Sequence, residues 1–273
     1  MQTGYYSAAA GMVTQFNRLD TIANNLANVN TVGYKEDDLV VGDFMRLYQE
    51  KRDELDNKNN TKEAASFINR TMTRTPQIVD SYTDFSVGNM QKTSNTFDFA
   101  LSEEGLFFVV KTPEGLRLTR DGSFTTNNEG KLVTKQGYEV VGDDYFNSKE
   151  GITINEFDSV VNVDKNGQIY TNVPNTLTMN PGKKLFIAQP QNEQLLEKVG
   201  DNLFKTDEMA LLEPVEESGA VQQGFVEKSN VNAVKMMTDL IETNRLVGMY
   251  QKAMDTQMNE MNKDAIEKIA SKA

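Results

Sequence analysis

The sequence predicts an α+β fold, with N- and C-terminal helices pairing in a coiled-coil core and a central, mostly antiparallel β-domain. Three observations carry this: apolar residues at heptad spacing at both ends of the 273-residue chain, a middle of short apolar runs cut by turn signals, and a polar, charged stretch between the first helix and that middle.

In residues 1–30 two columns recur at alternating steps of four and three. Tyr5, Met12, Leu19 and Leu26 form one, and Ala9, Phe16, Ala23 and Asn30 the other. Ala8, Ile22 and Val29 widen the stripe on one side and Tyr6, Val13 and Ala27 on the other, so the apolar surface exceeds what a single partner helix would cover. The remaining face carries Ser7, Thr14, Asn17, Thr21, Asn24, Asn25 and Asn28, all polar and uncharged. A solvated helix normally shows Lys and Glu there, and asparagine is a mediocre helix former whose amide both donates and accepts. The asparagines are therefore read as hydrogen-bonding to adjoining chains. The blander alternative is a terminal helix docked on its own domain. Gly33 is read as the stop of this helix.

From about Asn230 to Ala273 the device repeats, with Ala233, Leu240, Val247, Met254 and Met261 in one column and Met237, Asn244, Gln251, Met258 and Ala265 in the other. Asn244 and Gln251 interrupt the seam. Polar residues at such positions cost stability but fix register and partner number. The residues expected at subunit interfaces are thus Tyr5, Ala9, Met12, Phe16, Leu19, Ala23, Asn24, Asn25, Leu26, Asn28 and Asn30 at the first end. At the second they are Met237, Leu240, Asn244, Val247, Gln251, Met254, Met258 and Met261. Any one of the methionines, taken alone, also fits ordinary core filling.

Between Leu39 and Arg74 the chain turns polar, with the runs Glu50 to Glu54 and Asp56 to Asn60, and reads as a connector. From Phe97 onward come successive hairpins: Leu106 to Val110, then Leu116 to Leu118 after Pro113-Glu114-Gly115, then Phe124 onward after Asp121-Gly122. Leu132-Val133 and Tyr138 to Val141 flank Gln136-Gly137, and Val161 to Val163 with Asn166-Gly167 before Ile169 gives the sharpest hairpin. Leu185 to Ala188 and Gly224 to Val226 are further strands. The expected segmentation is an N-terminal core helix over 1–34, an extended connector over 35–75, a β-rich outer domain over 76–228, and a C-terminal core helix over 229–273.

Composition narrows the function. The formal charge of -12, from 28 basic against 40 acidic residues, disfavours nucleic acid or an anionic membrane and points to protein partners. The chain has no cysteine and no histidine, which removes thiolate sites, the commonest general base and the commonest metal ligand. No run of about 18 apolar residues is long enough to span a membrane, and no apolar signal region precedes Ala8-Ala9-Ala10, so any export is expected without a cleaved signal. Asn162-x-Asp164-x-Asn166-Gly167 resembles the start of a calcium loop, but its twelfth position is Val173 and an Asn-Gly hairpin accounts for the same residues. Asp143-Asp144 and Asp37-Asp38 are adjacent carboxylates that a strand turns to opposite faces. No catalytic, cofactor-binding or metal-binding residue is assigned. The rival class is a carbohydrate-active or ligand-binding β-domain with oligomerising helices.

Two stretches, Ser7-Ala8-Ala9-Ala10-Gly11-Met12 and Ile22-Ala23-Asn24-Asn25-Leu26-Ala27-Asn28-Val29-Asn30-Thr31-Val32-Gly33-Tyr34-Lys35, closely resemble the signature of the bacterial flagellar axial proteins, the rod and hook family. Three more blocks agree: Glu104 to Val110, Leu118-Thr119-Arg120-Asp121-Gly122-Ser123-Phe124, and Ser229-Asn230-Val231-Asn232-Ala233-Val234 running on to Arg245. Within the family the opening Met1 to Tyr6 and the modest length look most like the proximal rod protein, ahead of the distal rod and hook proteins. Glu103-Glu104-Gly105 and Leu118 depart from the usual aspartate-glycine pair and aromatic. The resemblance implies a non-enzymatic subunit of the basal-body rod in the periplasm. It further implies delivery by the flagellar type III export apparatus and helical assembly with copies of itself and neighbouring rod and hook proteins, transmitting torque from motor to hook.

Overall fold

The structure, a computed structural model, describes residues 2–43, 76–148, 151–154, 160–172, 179–206, 212, 215 and 219–270. The charged run from Glu50 to Thr61 and Val173 lie outside the described residues. The chain divides into two compact units, one of Met1–Ala27, Asp37–Thr83 and Asn232–Ala273, the other of Asn28–Glu36 and Asp84–Val231. The expected segmentation drew these lines elsewhere, at 34, 75 and 228. Residues 28–36 belong with the β-rich unit, and residues 76–83 with the helical one.

The helical unit holds α1 (Gln2–Ala27), the antiparallel pair β1 (Asp37–Asp43) and β2 (Pro76–Thr83), and α2 (Ala233–Ala270). α1 packs against α2 and also against both strands. Helix α1 ends at a turn in which Thr31 donates its N–H to the Asn28 carbonyl (3.0 Å) and its hydroxyl to Asn28 Oδ1 (3.1 Å). Gly33 lies beyond that turn, so it is not the helix stop that its position relative to the heptads predicts. Helix α2 starts at Asn232, whose Oδ1 accepts the N–H groups of Val234 (3.1 Å) and Lys235 (3.2 Å), satisfying donors that a first helical turn leaves open. Among the described residues no helix is long and apolar enough to cross a membrane.

The β-rich unit is antiparallel throughout its described pairings. Its main sheet runs β14 (Glu197–Gly200), β15 (Leu203–Lys205), β6 (Gly115–Thr119), β5 (Phe107–Thr112), β9 (Glu139–Val140), β8 (Leu132–Val133), β7 (Thr125–Thr126), with β13 (Ile187–Ala188) also on β5. A meander of β10 (Val160–Val163), β11 (Gln168–Asn172) and β12 (Met179–Lys184) stands beside it in the chain. Two ribbons join distant segments: β4 (Phe99–Leu101) with β16 (Val221–Gln223), and β3 (Met90–Lys92) with β17 (Phe225–Glu227). Strand β5 explains its own unbroken apolar run. Phe108 and Val110 enter one buried cluster with Phe99, Phe124 and Ile152, while Phe107 and Val109 enter a second with Phe85, Phe186 and Phe204, so both faces are covered. At the β10–β11 turn, Asp164 Oδ1 accepts the N–H groups of Asn166 and Gln168, both at 2.9 Å. That carboxylate closes a turn.

Candidate functional site

The inner face of α2 steps through Met236, Leu240, Thr243, Val247, Tyr250, Met254, Gln257 and Met261, all buried or half-buried. Leu240, Val247, Met254 and Met261, expected at subunit interfaces, lie on this inward flank of their own chain. The second expected column does not: Met237, Asn244, Gln251 and Met258 are exposed, and Met236, Thr243, Tyr250 and Gln257 take the inner flank. The reason is geometric. Either flank of the Leu240 column lies at steps of three and four, so spacing alone does not distinguish them. Helix α1 behaves alike. Tyr5, Met12, Leu19 and Leu26 are half-buried beside a buried Ile22, Ala9 is half-buried, and Phe16, Ala23 and Asn30 are exposed.

Each helix therefore keeps one apolar flank for its own chain and leaves another open. On the open flanks Tyr6 is 67% exposed, Phe16 41%, Met237 53%, Ile241 61% and Met258 48%. Singly exposed apolar residues are ordinary; here they recur along each helix.

The asparagines separate. Asn24 and Asn30 are exposed and Asn28 is half-buried, its Oδ1 held by Thr31. Asn25 is buried within the helical unit. Its Nδ2 donates to the Asp37 carbonyl (2.7 Å) while its Oδ1 accepts the Asp37 N–H (3.0 Å), so the amide pairs with β1 as another strand would. It also lies 4.0 Å from Met236 Sδ on α2. The expectation that Asn25 bonds an adjoining chain is corrected here: its donors and acceptor are occupied by its own.

In the β-rich unit the geometry reveals a buried ion cluster. Glu227, at the end of β17, has no exposed surface and meets two cations: its Oε1 accepts from Lys35 Nζ (2.7 Å) and its Oε2 from Arg120 Nε (2.8 Å). The Gly88 N–H completes Oε1 at 2.8 Å. Lys35 also donates to the carbonyls of Ser86 (2.6 Å) and Phe85 (3.3 Å). Arg120 donates to those of Leu106 (2.6 Å), Glu103 (2.9 Å) and Leu101 (3.1 Å). Two positive charges beside one negative charge stay buried because carbonyl dipoles solvate the surplus. Burial holds the Lys35 ammonium below its ordinary value of 10.5, against the pull of Glu227. Nearby, burial raises the Glu193 carboxyl, and the Glu104 carboxylate adds to the shift.

Around this cluster the chain is tied by backbone contacts. The Gly33 N–H donates to the Glu227 carbonyl (2.8 Å), and a Cβ on Gly33 would stand 2.4 Å from the Asp121 nitrogen at a φ of +70°, so only glycine fits. Asn230 accepts the Glu36 N–H on Oδ1 (2.8 Å) and donates Nδ2 to the Asp84 carbonyl (2.8 Å) and to the Ser86 hydroxyl (3.1 Å). Sequence reasoning singled out the blocks around Lys35, Arg120 and Asn230 but not the cluster. Glu227 lies in no signature block, and its partners are 192 and 107 residues away.

These arrangements hold and pack. The described side-chain clusters place every carboxylate oxygen of Glu227 on a structural donor, which suits a scaffold. The comparisons agree. The family model described as "Flagella basal body rod protein" matches residues 6–35, "Flagellar hook protein FlgE/F/G D1 domain" matches 101–171, and "Flagellar basal body rod FlgEFG protein C-terminal" matches 222–267. The flagellar basal-body rod protein FlgF of Caulobacter vibrioides is 32% identical over 98% of this chain and 98% of its own length. FlgG of Agrobacterium fabrum, also a flagellar basal-body rod protein, is 32% identical over 91% of this chain and 93% of its own. The flagellar hook-basal body complex protein FlhP of Bacillus subtilis is 31% identical over 84% and 85%. Matched from its first helix to its last, the chain belongs to the flagellar basal-body rod protein family, as a structural subunit and not an enzyme.

Proposed function

We propose that the chain is a proximal-rod subunit of the shaft that crosses the periplasm, joined through its outer helix flanks to copies of itself and to neighbouring rod and hook proteins. The paired helices form a coiled coil in the wall of an inner tube. The chain arrives through the type III export apparatus. The observation that carries this reading is the double-sided apolar character of α1 and α2, one flank closed within the chain and the other, with Phe16, Met237 and Met258, exposed. A proximal position is supported by the likeness of residues Met1 to Tyr6 to that subunit; a distal-rod or hook position is the alternative.

Phe16→Asp tests it. A carboxylate desolvated in an interface costs several kcal/mol, whereas Phe16 is exposed in the single chain. The variant is expected to keep the unfolding transition of the purified wild-type protein and to lose swimming and rod formation. Normal swimming would remove the α1 flank from the interface.

A further inference from the structure

The two helices of the helical unit meet at points with one fixed register. A Cβ built on Gly4 would stand 2.7 Å from the amide end of Gln257, and one on Gly11 would stand 2.6 Å from Cε1 and 2.7 Å from Cζ of Tyr250. Asn25 Nδ2 reaches Met236 Sδ at 4.0 Å. Seven residues forward on α1, from Gly4 to Gly11, match seven back on α2, from Gln257 to Tyr250; fourteen forward, from Gly11 to Asn25, match fourteen back to Met236. The pairing is antiparallel and in a single register along this length.

We infer that the seating of Tyr250 on Gly11, repeated by Gln257 on Gly4, is the key that fixes this register and, by holding Tyr250 towards α1, the rotation of α2 that leaves its other flank for neighbouring subunits. Gly11 follows Ala8, Ala9 and Ala10, so on this stretch of α1 it alone lacks the Cβ that would exclude the ring. A slip of one heptad in one direction carries Gln257 past the start of α1, moves Tyr250 to Gly4 and sets Thr243 level with Gly11, leaving the Gly11 gap unfilled. A slip in the other direction sets Tyr250 level with Arg18, where a Cβ blocks it. Only the observed register fills both glycine gaps. Turning α2 so that Tyr250 faces α1 puts Met236, Thr243 and Gln257 inward with it and turns Met237, Gln251 and Met258 outward. The key acts inside one chain, and its consequence for assembly rests on the function proposed above.

The test uses the full chain, which has no cysteine, so Gly4→Cys with Gln257→Cys gives a lone thiol pair that reports the register as an intramolecular disulfide. This pair replaces the outer of the two fits and leaves Gly11 and Tyr250 as the variable. The reporter chain is expected to cross-link under mild oxidation at low concentration. Adding Gly11→Leu should abolish most of the cross-link while helix content by circular dichroism stays, and adding Tyr250→Ala to Gly11→Leu should restore it. An undiminished cross-link in the Gly11→Leu chain would overturn the key, as would a cross-link that Tyr250→Ala fails to restore. Swimming, measured on the same substitutions without the reporter thiols, should be lost with Gly11→Leu and regained with the double variant. If the cross-link follows the key but rods form in every variant, the key stands and the assembly reading fails.

Discussion

Glu227 ties three separate segments of the β-rich unit together through Lys35, Arg120 and the Gly88 N–H. Its carboxylate neutralises Lys35 and Arg120, so Glu227→Gln leaves two buried cations facing each other across a neutral amide. Breaking a buried pair in this way costs about 3–5 kcal/mol. Chemical denaturation of the full chain should show that loss, and a shift smaller than about 1 kcal/mol would mean that the cluster is solvated. Lys35→Met should be milder, because Glu227 keeps Arg120. Lys35 also gives a pH signature. Since burial lowers its folded value below 10.5, the unfolded chain binds more protons between that lowered value and 10.5, and stability attributable to Lys35 rises with pH across that alkaline window. Unfolding measured from neutral to alkaline pH should show the wild type gaining on Lys35→Met; a constant difference would contradict a desolvated ammonium. At this scale the sequence is only partly legible. Lys35 and Arg120 stand in recognisable blocks, but a charged residue declares its burial only through its partner, and no local spacing brings Glu227 to them. Asn25 misleads for a related reason: an amide on a polar helix face looks the same whether it bonds a neighbouring chain or, as here, the backbone of Asp37.

Helices α1 and α2 divide their apolar residues between an inner and an outer flank, and substitutions should divide the same way. Val247→Asp places a carboxylate on the buried flank and is expected to cost several kcal/mol in the free chain. Met237→Asp places one on an exposed position and should change the free chain by less than about 0.5 kcal/mol while preventing rod formation. Equal destabilisation by the two would erase the distinction between flanks. The heptads and the hairpins are readable because they are local: β5–β6 and β10–β11 close over turns of a few residues, and their apolar runs sit beside their turn signals. Strands β3, β4 and β16 are not, being three residues each and paired across about half of the chain, as Met90 is with Glu227 and Phe99 with Gln223. Strands β1 and β2 fall on either side of the expected boundary between connector and outer domain, yet they pair with each other and pack against α1, a pairing across some thirty residues that no local turn signal announces.

On the function proposed above, the whole molecule is a scaffold with one side of each helix packed within the chain and the other exposed for neighbouring chains. The connector belongs to this scale. If the charged run helps to stiffen the shaft, deleting Asp53 to Asn60 should leave export intact and produce defective rods; indistinguishable rods and swimming would make it passive slack. The most direct measurement is site-specific photo-cross-linking in isolated basal bodies, with the probe placed in turn at Phe16, Met237 and Met258 on the outer flanks and at Ile22 and Val247 on the inner ones. The three outer positions are expected to capture other rod chains while Ile22 and Val247 capture only their own. Capture of other chains from Ile22 and Val247 but not from Phe16, Met237 or Met258 would contradict this expectation.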